Sequence, residues 1–294
     1  MNKKLYWALI ILFSTIFLIS AIFVVQYVID SIQYKDQLDD LQNMHTQPPR
    51  PSVSLLPPTT GTTGAVILPE WPPVIDPSAS HTGSVSPEAT APNGMLLDMD
   101  ALYKLNNDLV GFIYIKDTNI NNPVLQRKSE KDYYLYRDFY GNDDRHGCLY
   151  VREACDVFEP SDNVTIYGHN MMDNTMFGSL LKYKDEDFFD SHPLIYFDTL
   201  YERHTYQVVC IFRTSGTYDV GFPFHLYDDF ENENEFKEFI NSVRGKKVLN
   251  NYELDVINDS GISVNYGDKF ICLSTCEDRP IKNGRLVLVA VRIS

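Results

Sequence analysis

Three residues in this chain have the types and settings for acyl chemistry. Cys276 ends the apolar run DKFICLST (268–275) and leads straight into Glu277, Asp278, Arg279 and Pro280. Its thiol therefore sits at a strand end facing a polar loop, where reactive groups are commoner than in strand middles. A cysteine attacks a carbonyl only as the thiolate, which needs a histidine partner or nearby positive charge. His169 is the candidate partner. It follows the strand-like run NVTIY (163–167) in IYGHN, with Gly168 allowing a tight turn and Asn170 able to hydrogen-bond locally. Arg285 opens the last apolar run after an Asn-Gly turn signal, and it reaches back to Cys276 if the two strands pair. A nucleophile, a general acid/base and a cation for a developing oxyanion are the parts of covalent acyl transfer. Spacing alone does not single them out, because a buried thiol and a satisfied loop histidine would read the same way. Arg279 is a second cation near Cys276 and competes for the arginine's role. Cys148, Cys155, Cys210 and Cys272 lie in or beside apolar runs and read as small core residues. Five scattered cysteines fit neither a disulfide scaffold nor paired zinc ligation, so at least one thiol should be free.

The elements that must position these residues are mostly strands. Apolar runs occur at 111–115 (GFIYI), 148–151 (CLYV), 163–167, 194–197 (LIYF), 205–212 (TYQVVCIF), 268–275 and 285–293 (RLVLVAVRI). Seven such runs with turn signals between them predict a closed antiparallel barrel or a sandwich. Helical spacing marks Met95–Leu109, ending before Gly111, together with 176–183 (MFGSLLKY) and 234–244 (NEFKEFINSVR). The stripe Phe236, Phe239, Ile240 and Val243 predicts a helix packed on the barrel rather than a free partner-binding face. No internal repeat, metal cluster, phosphate loop or dinucleotide fingerprint is present in the sequence, and no cofactor is implied.

The N-terminus has a different character. Residues 5–29 carry no charge, and as a helix would span roughly 37 Å, enough to cross a ~30 Å bilayer core. Lys3 and Lys4 before it and Asp30 after it place residues 1–4 in the cytoplasm and export the rest. A cleaved signal peptide fits less well, because the apolar stretch is longer than a signal core and lacks an A-x-A site. Residues 30–45 can extend the helix beyond the membrane. Residues 46–93 hold 11 of the 16 prolines, mixed with Thr, Ser and Gly, and predict a disordered spacer. Residues 94–294 form one domain-sized block. The chain of 294 residues has a formal charge of −15, and 94–294 carries 21 Lys+Arg against 33 Asp+Glu, net −12. Such acidity argues against nucleic-acid binding through a basic face. It favours substrates or acceptor amines of positive character, captured less well at raised salt.

At NVTIYGHNMMDNTMFGSLLKY around His169, ICLSTC ending at Cys276, and NGRLVLVAVRI containing Arg285, the sequence resembles the sortases, and specifically class B. These are membrane-anchored cysteine transpeptidases of Gram-positive bacteria. The resemblance covers roughly residues 96–294. The long Pro-rich spacer departs from class B, whose connection is usually shorter. The resemblance implies a mainly β fold with added helices: a closed eight-stranded sortase barrel behind a transmembrane helix and linker. It assigns His169, Cys276 and Arg285 as the catalytic residues and, by adjacency, Tyr167, Ser274 and Glu277 as substrate contacts. Tyr167 can equally be core, Ser274 a strand end and Glu277 a solvated charge. The implied partners are a sorting-signal peptide of the NPxTx, SPxTG or PPxTG type, a peptidoglycan or lipid-linked precursor amine, and the cytoplasmic membrane. A pilin-polymerising enzyme and a non-catalytic, membrane-tethered wall-binding module are the alternatives. Pro57-Pro58-Thr59-Thr60-Gly61 has the PPxTG form itself. It lacks the apolar segment and basic tail of a sorting signal, and a Pro/Thr/Gly-rich spacer produces such a string by chance. If it occupied the chain's own cleft, deleting residues 46–93 would raise activity.

Overall fold

The computed structural model describes residues 3–45, 53–58, 89–217, 221–245, 248–249, 252–253, 255–277 and 282–294. The chain divides into two compact units, Met1–Thr46 and Gln47–Ser294. The first is a single helix, α1 (Lys3–Met44). Phe13, Phe17, Leu18, Phe23 and Val24 are exposed along its apolar part, which is long and apolar enough to cross a membrane. Residues 30–44 continue it without a break, as the sequence predicts.

Among the described residues, the second unit is built on eleven strands: β1 (Leu109–Tyr114), β2 (Asn121–Leu125), β3 (Leu149–Val151), β4 (Asn163–Tyr167), β5 (Leu194–Thr199), β6 (Arg203–Ser215), β7 (Val248–Leu249), β8 (Tyr252–Glu253), β9 (Asp255–Asp259), β10 (Phe270–Cys276) and β11 (Gly284–Arg292). Eight of them form a closed ring in the order β11-β10-β4-β3-β2-β1-β5-β6, with β6 returning to β11. A closed ring leaves no free edge. The thirteen-residue β6 makes closure possible: one side pairs with β11 from Tyr206 to Ser215, while β5 and β9 share the other side in turn. The ring is not wholly antiparallel, since β4–β10 and β2–β3 run parallel.

The last two ring strands are buried on both faces, so they read as continuous apolar runs rather than alternating ones. Phe270, Cys272, Val287, Val289 and Val291 pack with Phe212, Phe222, Phe230, Phe236 and Phe239 in an outer core. Ile271, Leu273, Leu286 and Leu288, also fully buried, face the opposite way by the strand's two-residue period. The outer core is covered by helix α4 (Glu233–Arg244), while α2 (Leu97–Leu105) lies beside β1 and α3 (Glu186–Ser191) beside the 177–184 segment. Asn232 caps α4 by accepting from the Asn234 and Glu235 amides at 3.0 and 3.2 Å. Phe236, Phe239 and Val243 are buried, each side chain contributing about 1.5–3 kcal/mol. The stripe is thus core, as its spacing predicts.

Several elements differ from expectation. The helix expected over Met95–Leu109 is α2, which stops at Leu105 because Asn106 turns extended and Leu109 enters β1. Residues Phe177–Lys184 form a 3-10 helix rather than an α-helix. β2 (NNPVL) and β9 (DVIND) carry Asn, Pro and Asp, and so lack the strand signature. Two parts of the Pro-rich segment are bonded to this unit. Ala91 N–H donates to Met95 O at 2.8 Å, and Leu97 N–H to Ala89 O at 3.3 Å. Leu56 N–H donates to Gln207 Oε1 at 2.6 Å, Gln207 Nε2 donates back to Leu56 O at 3.2 Å, and Pro58 bridges Ile262. Gln207 lies seven positions along β6 from Thr214, the partner of Arg285, or about 23 Å at ~3.3 Å per residue. The rest of the PPxTG string, residues 59–61, lies outside the described residues.

Candidate active site

The topology brings the three candidate residues to one end of the barrel. β10 lies between β4 and β11, so the strand carrying the thiol is flanked by the strands leading to the histidine and the arginine. Cys276 and Arg285 are direct cross-strand partners, and such pairs project to the same face. Cys276 is exposed and free, whereas Cys148, Cys155, Cys210 and Cys272 are buried free thiols. Burial pushes all four of those thiols up, the Cys155 thiol to about 12. Free and buried, they behave as core residues, and no Cys148–Cys155 disulfide forms.

On the other flank, the last ladder pair is Ser274 with Tyr167. Beyond it the strands stay joined: Gly168 N–H donates to Ser274 O at 3.2 Å, and Thr275 Oγ1 donates to Gly168 O at 2.8 Å. Gly168 is not at positive φ. A Cβ there would run into the Leu149 side chain and come within 2.7 Å of the Phe177 ring, so close packing, not a tight turn, demands glycine. His169 is held from two sides. Phe177 N–H donates to its carbonyl at 2.9 Å, and its Nε2 lies 2.7 Å from Leu135 O. A carbonyl only accepts, so Nε2 carries the ring proton and Nδ1 is left with the basic lone pair. Tyr136 covers the ring at a centroid distance of 5.2 Å. Burial lowers the His169 pKa from its ordinary 6.5, the Leu135 bond partly opposes this, and His146 adds to the lowering. The imidazole is therefore neutral at pH 7.

Arg285 is half-buried, and its Nη1 donates to Gly284 O at 3.0 Å. A Cβ on Gly216 would sit 2.9 Å from its Cζ, so the guanidinium lies directly over that glycine. Arg279 lies outside the described residues. Of the three expected substrate contacts, Tyr167 is half-buried, with its ring 5.5 Å from that of Tyr150. Ser274 lies two residues before Cys276 on β10 and is buried, its hydroxyl without a hydrogen-bond partner among the described residues. Glu277 is no solvated charge: Lys184 Nζ and Arg213 Nε clamp its carboxylate at 2.6 and 2.8 Å. Burial pushes this carboxyl up, but the Arg213 and Lys184 bonds outweigh it and lower it overall.

Sequence reasoning missed Leu135, whose carbonyl orients the histidine from 34 residues away. A backbone acceptor leaves no residue-type signal. It also missed Lys184 and Arg213 as the holders of Glu277.

A family model for the Sortase domain matches residues 113–293, well over half of the chain. The chain belongs to the sortase family, within class B. The sortase B of Staphylococcus aureus (strain NCTC 8325 / PS 47) is 32% identical over 194 residues, covering 66% of this chain and 73% of that protein. Among solved structures, sortase B from Bacillus anthracis in complex with AAEK1 superposes with a TM-score of 0.64 at 26% identity, covering 91% of this chain and 99% of that one. A Staphylococcus aureus sortase B–substrate complex gives 0.57 at 30% identity, covering 67% and 85%. This sortase is thus a cysteine transpeptidase, and its ring of eight strands is the sortase barrel.

Proposed function

We propose that this sortase cleaves the C-terminal sorting signal of secreted proteins after Thr and transfers the new acyl end to a peptidoglycan amine. The observation carrying this reading is the exposed Cys276, cross-strand from Arg285 and joined through β4 to His169. The thiol proton passes to Nδ1 of neutral His169, and the thiolate adds to the carbonyl carbon of the Thr. Arg285 faces the oxyanion that forms, where a fixed cation in a partly dry site lowers the barrier. The imidazolium gives its proton to the leaving amine, the C–N bond breaks, and a thioacyl bond to Cys276 remains. An incoming amine then loses its proton to His169 and displaces the thiolate. Tyr167 and the clamped Glu277 border the substrate path, and Ser274 lies beneath it.

The apolar α1 anchors the chain in the cytoplasmic membrane, with Lys3 and Lys4 on the inner side and the catalytic domain facing the wall. Residues 46–93 connect anchor and domain. The titrating groups of the site require no cofactor in this scheme.

The test incubates the full chain and Cys276→Ala with NPxTx, SPxTG, PPxTG and LPxTG peptides, followed by mass spectrometry. Cleavage after Thr, a thioacyl adduct on Cys276 and transfer to added amines, all in wild type only, are expected and would name the motif. Hydrolysis or transfer surviving in Cys276→Ala would overturn the assignment.

A further inference from the structure

The β4–β10 backbone pairing ends at Gly168, whose N–H donates to Ser274 O, yet the thiol and the imidazole must be held to a fraction of an ångström. Beyond the Thr275 Oγ1–Gly168 O bond, the two segments are tied through one peptide group. Asn170 Nδ2 donates to Cys276 O at 2.9 Å, and the amide of the same peptide, Glu277 N–H, donates to Gly284 O at 2.9 Å. The Cys276–Glu277 peptide is thus pinned by the residue after the histidine on one side and the residue before the arginine on the other.

Asn170 is itself fixed. It forms an isolated bridge with Met176 across the His169 loop, and Phe177 N–H holds the carbonyl of His169 within that bridge. Gly178 lies against the loop, where a Cβ would come within 2.6 Å of Met171 O and 3.6 Å of Asn170 Oδ1. The side-chain amide therefore extends the β4–β10 ladder past the point where backbone pairing ends. We propose that Asn170 is a positioning residue that sets the separation and orientation of Cys276 relative to His169. The inference rests on the assignment of Cys276 and His169 as the reacting pair.

Asparagine suits this role because its amide donates to a carbonyl. Aspartate has the same shape, but as a carboxylate it would set two acceptors against each other. The test compares wild type, Asn170→Ala and Asn170→Asp in the full chain, using the peptide that wild type cleaves and, separately, the pH profile of Cys276 alkylation by iodoacetamide. Both variants should lose about 10- to 100-fold in kcat, the scale set by ångström-level misplacement of reacting groups. KM should stay within about threefold, Tm should hold, and the midpoint of the alkylation profile should shift as the thiol–imidazole coupling changes. Asn170→Gln, which keeps the donor on a longer arm, should recover part of the kcat.

A kcat near wild type in Asn170→Ala, or an unmoved alkylation profile, would overturn the proposal. A raised KM with unchanged kcat would instead make Asn170 a substrate contact, and that too would overturn it. Alkylation needs no sorting peptide, so an enzyme that cleaved none of the peptides would contradict the proposed function, while the alkylation profiles of the Asn170 variants would still decide the positioning role.

Discussion

His169 suits the proposed role of base because one of its nitrogens is already committed. With Nε2–H given to the Leu135 carbonyl, only Nδ1 is free to take a proton, and burial keeps the ring neutral near pH 7. The same burial makes stability pH-dependent. A histidine whose folded pKa lies below 6.5 binds fewer protons than its unfolded form, so stability is complete above pH 6.5 and falls as pH drops through it. The loss levels off below the folded pKa. His204 and His225 are also lowered, chiefly by burial. Tm of the full chain should therefore decline between pH 7 and 5, more steeply than in His169→Gln. Parallel curves for the two proteins would refute the His169 share. The arginine assignment is equally open to measurement. Arg285→Ala should lower kcat/KM by about 10²–10³, the usual loss for a removed oxyanion partner, while Arg279→Ala should keep most activity. The reverse pattern in a peptide-cleavage assay would move the role to Arg279.

At the scale of elements, glycines admit the proposed catalytic groups by making room. Gly168 lets the His169 loop close over Leu149 and Phe177, and Gly216 leaves the bed on which the Arg285 guanidinium lies. Gly216→Val should displace that guanidinium and lower kcat without a matching fall in Tm, whereas Gly168→Ala should lower both, because its clash is with packed core. Activity assays and thermal melts on the same preparations separate the two cases. The sequence made the strands beneath the triad legible because β10 and β11 are buried on both faces and therefore continuously apolar. Cys276 and Arg285 could be read as neighbours because only the seven residues 277–283 separate their strands in the sequence. β2 and β9 were not legible: their Asn, Pro and Asp residues carry turn chemistry, and only pairing with established strands holds them extended. The Leu135 and Asn170 contacts were hidden for a related reason. They depend on loops meeting across 34 and 106 residues of chain, and sequence pattern reports local order only.

At the scale of the whole molecule, charge and tether set further behaviour. With net −12 over residues 94–294, substrates carrying positive charge should show kcat/KM falling as salt rises from about 20 to 300 mM, since screening shortens the reach of the domain's field. A salt-independent rate would remove surface charge from the account of specificity. The docked stretch 53–58 makes a separate claim. Leu56 is half-buried against the outer core and shares two hydrogen bonds with Gln207. Leu56→Asp should remove about 1 kcal/mol of burial and bonding, lowering Tm by about 2–4 °C for a domain of this size. Gln207→Ala should do the same, and the double variant should cost little more than either alone, because both break one seam. Deleting residues 46–93 should leave kcat/KM unchanged, since the seam sits at the end of β6 remote from Cys276. A rise in kcat/KM on that deletion would mean that the PPxTG string reaches the cleft. Melts of the single and double variants would then show whether the seam had released it, because a docked seam gives non-additive losses and an undocked one gives none.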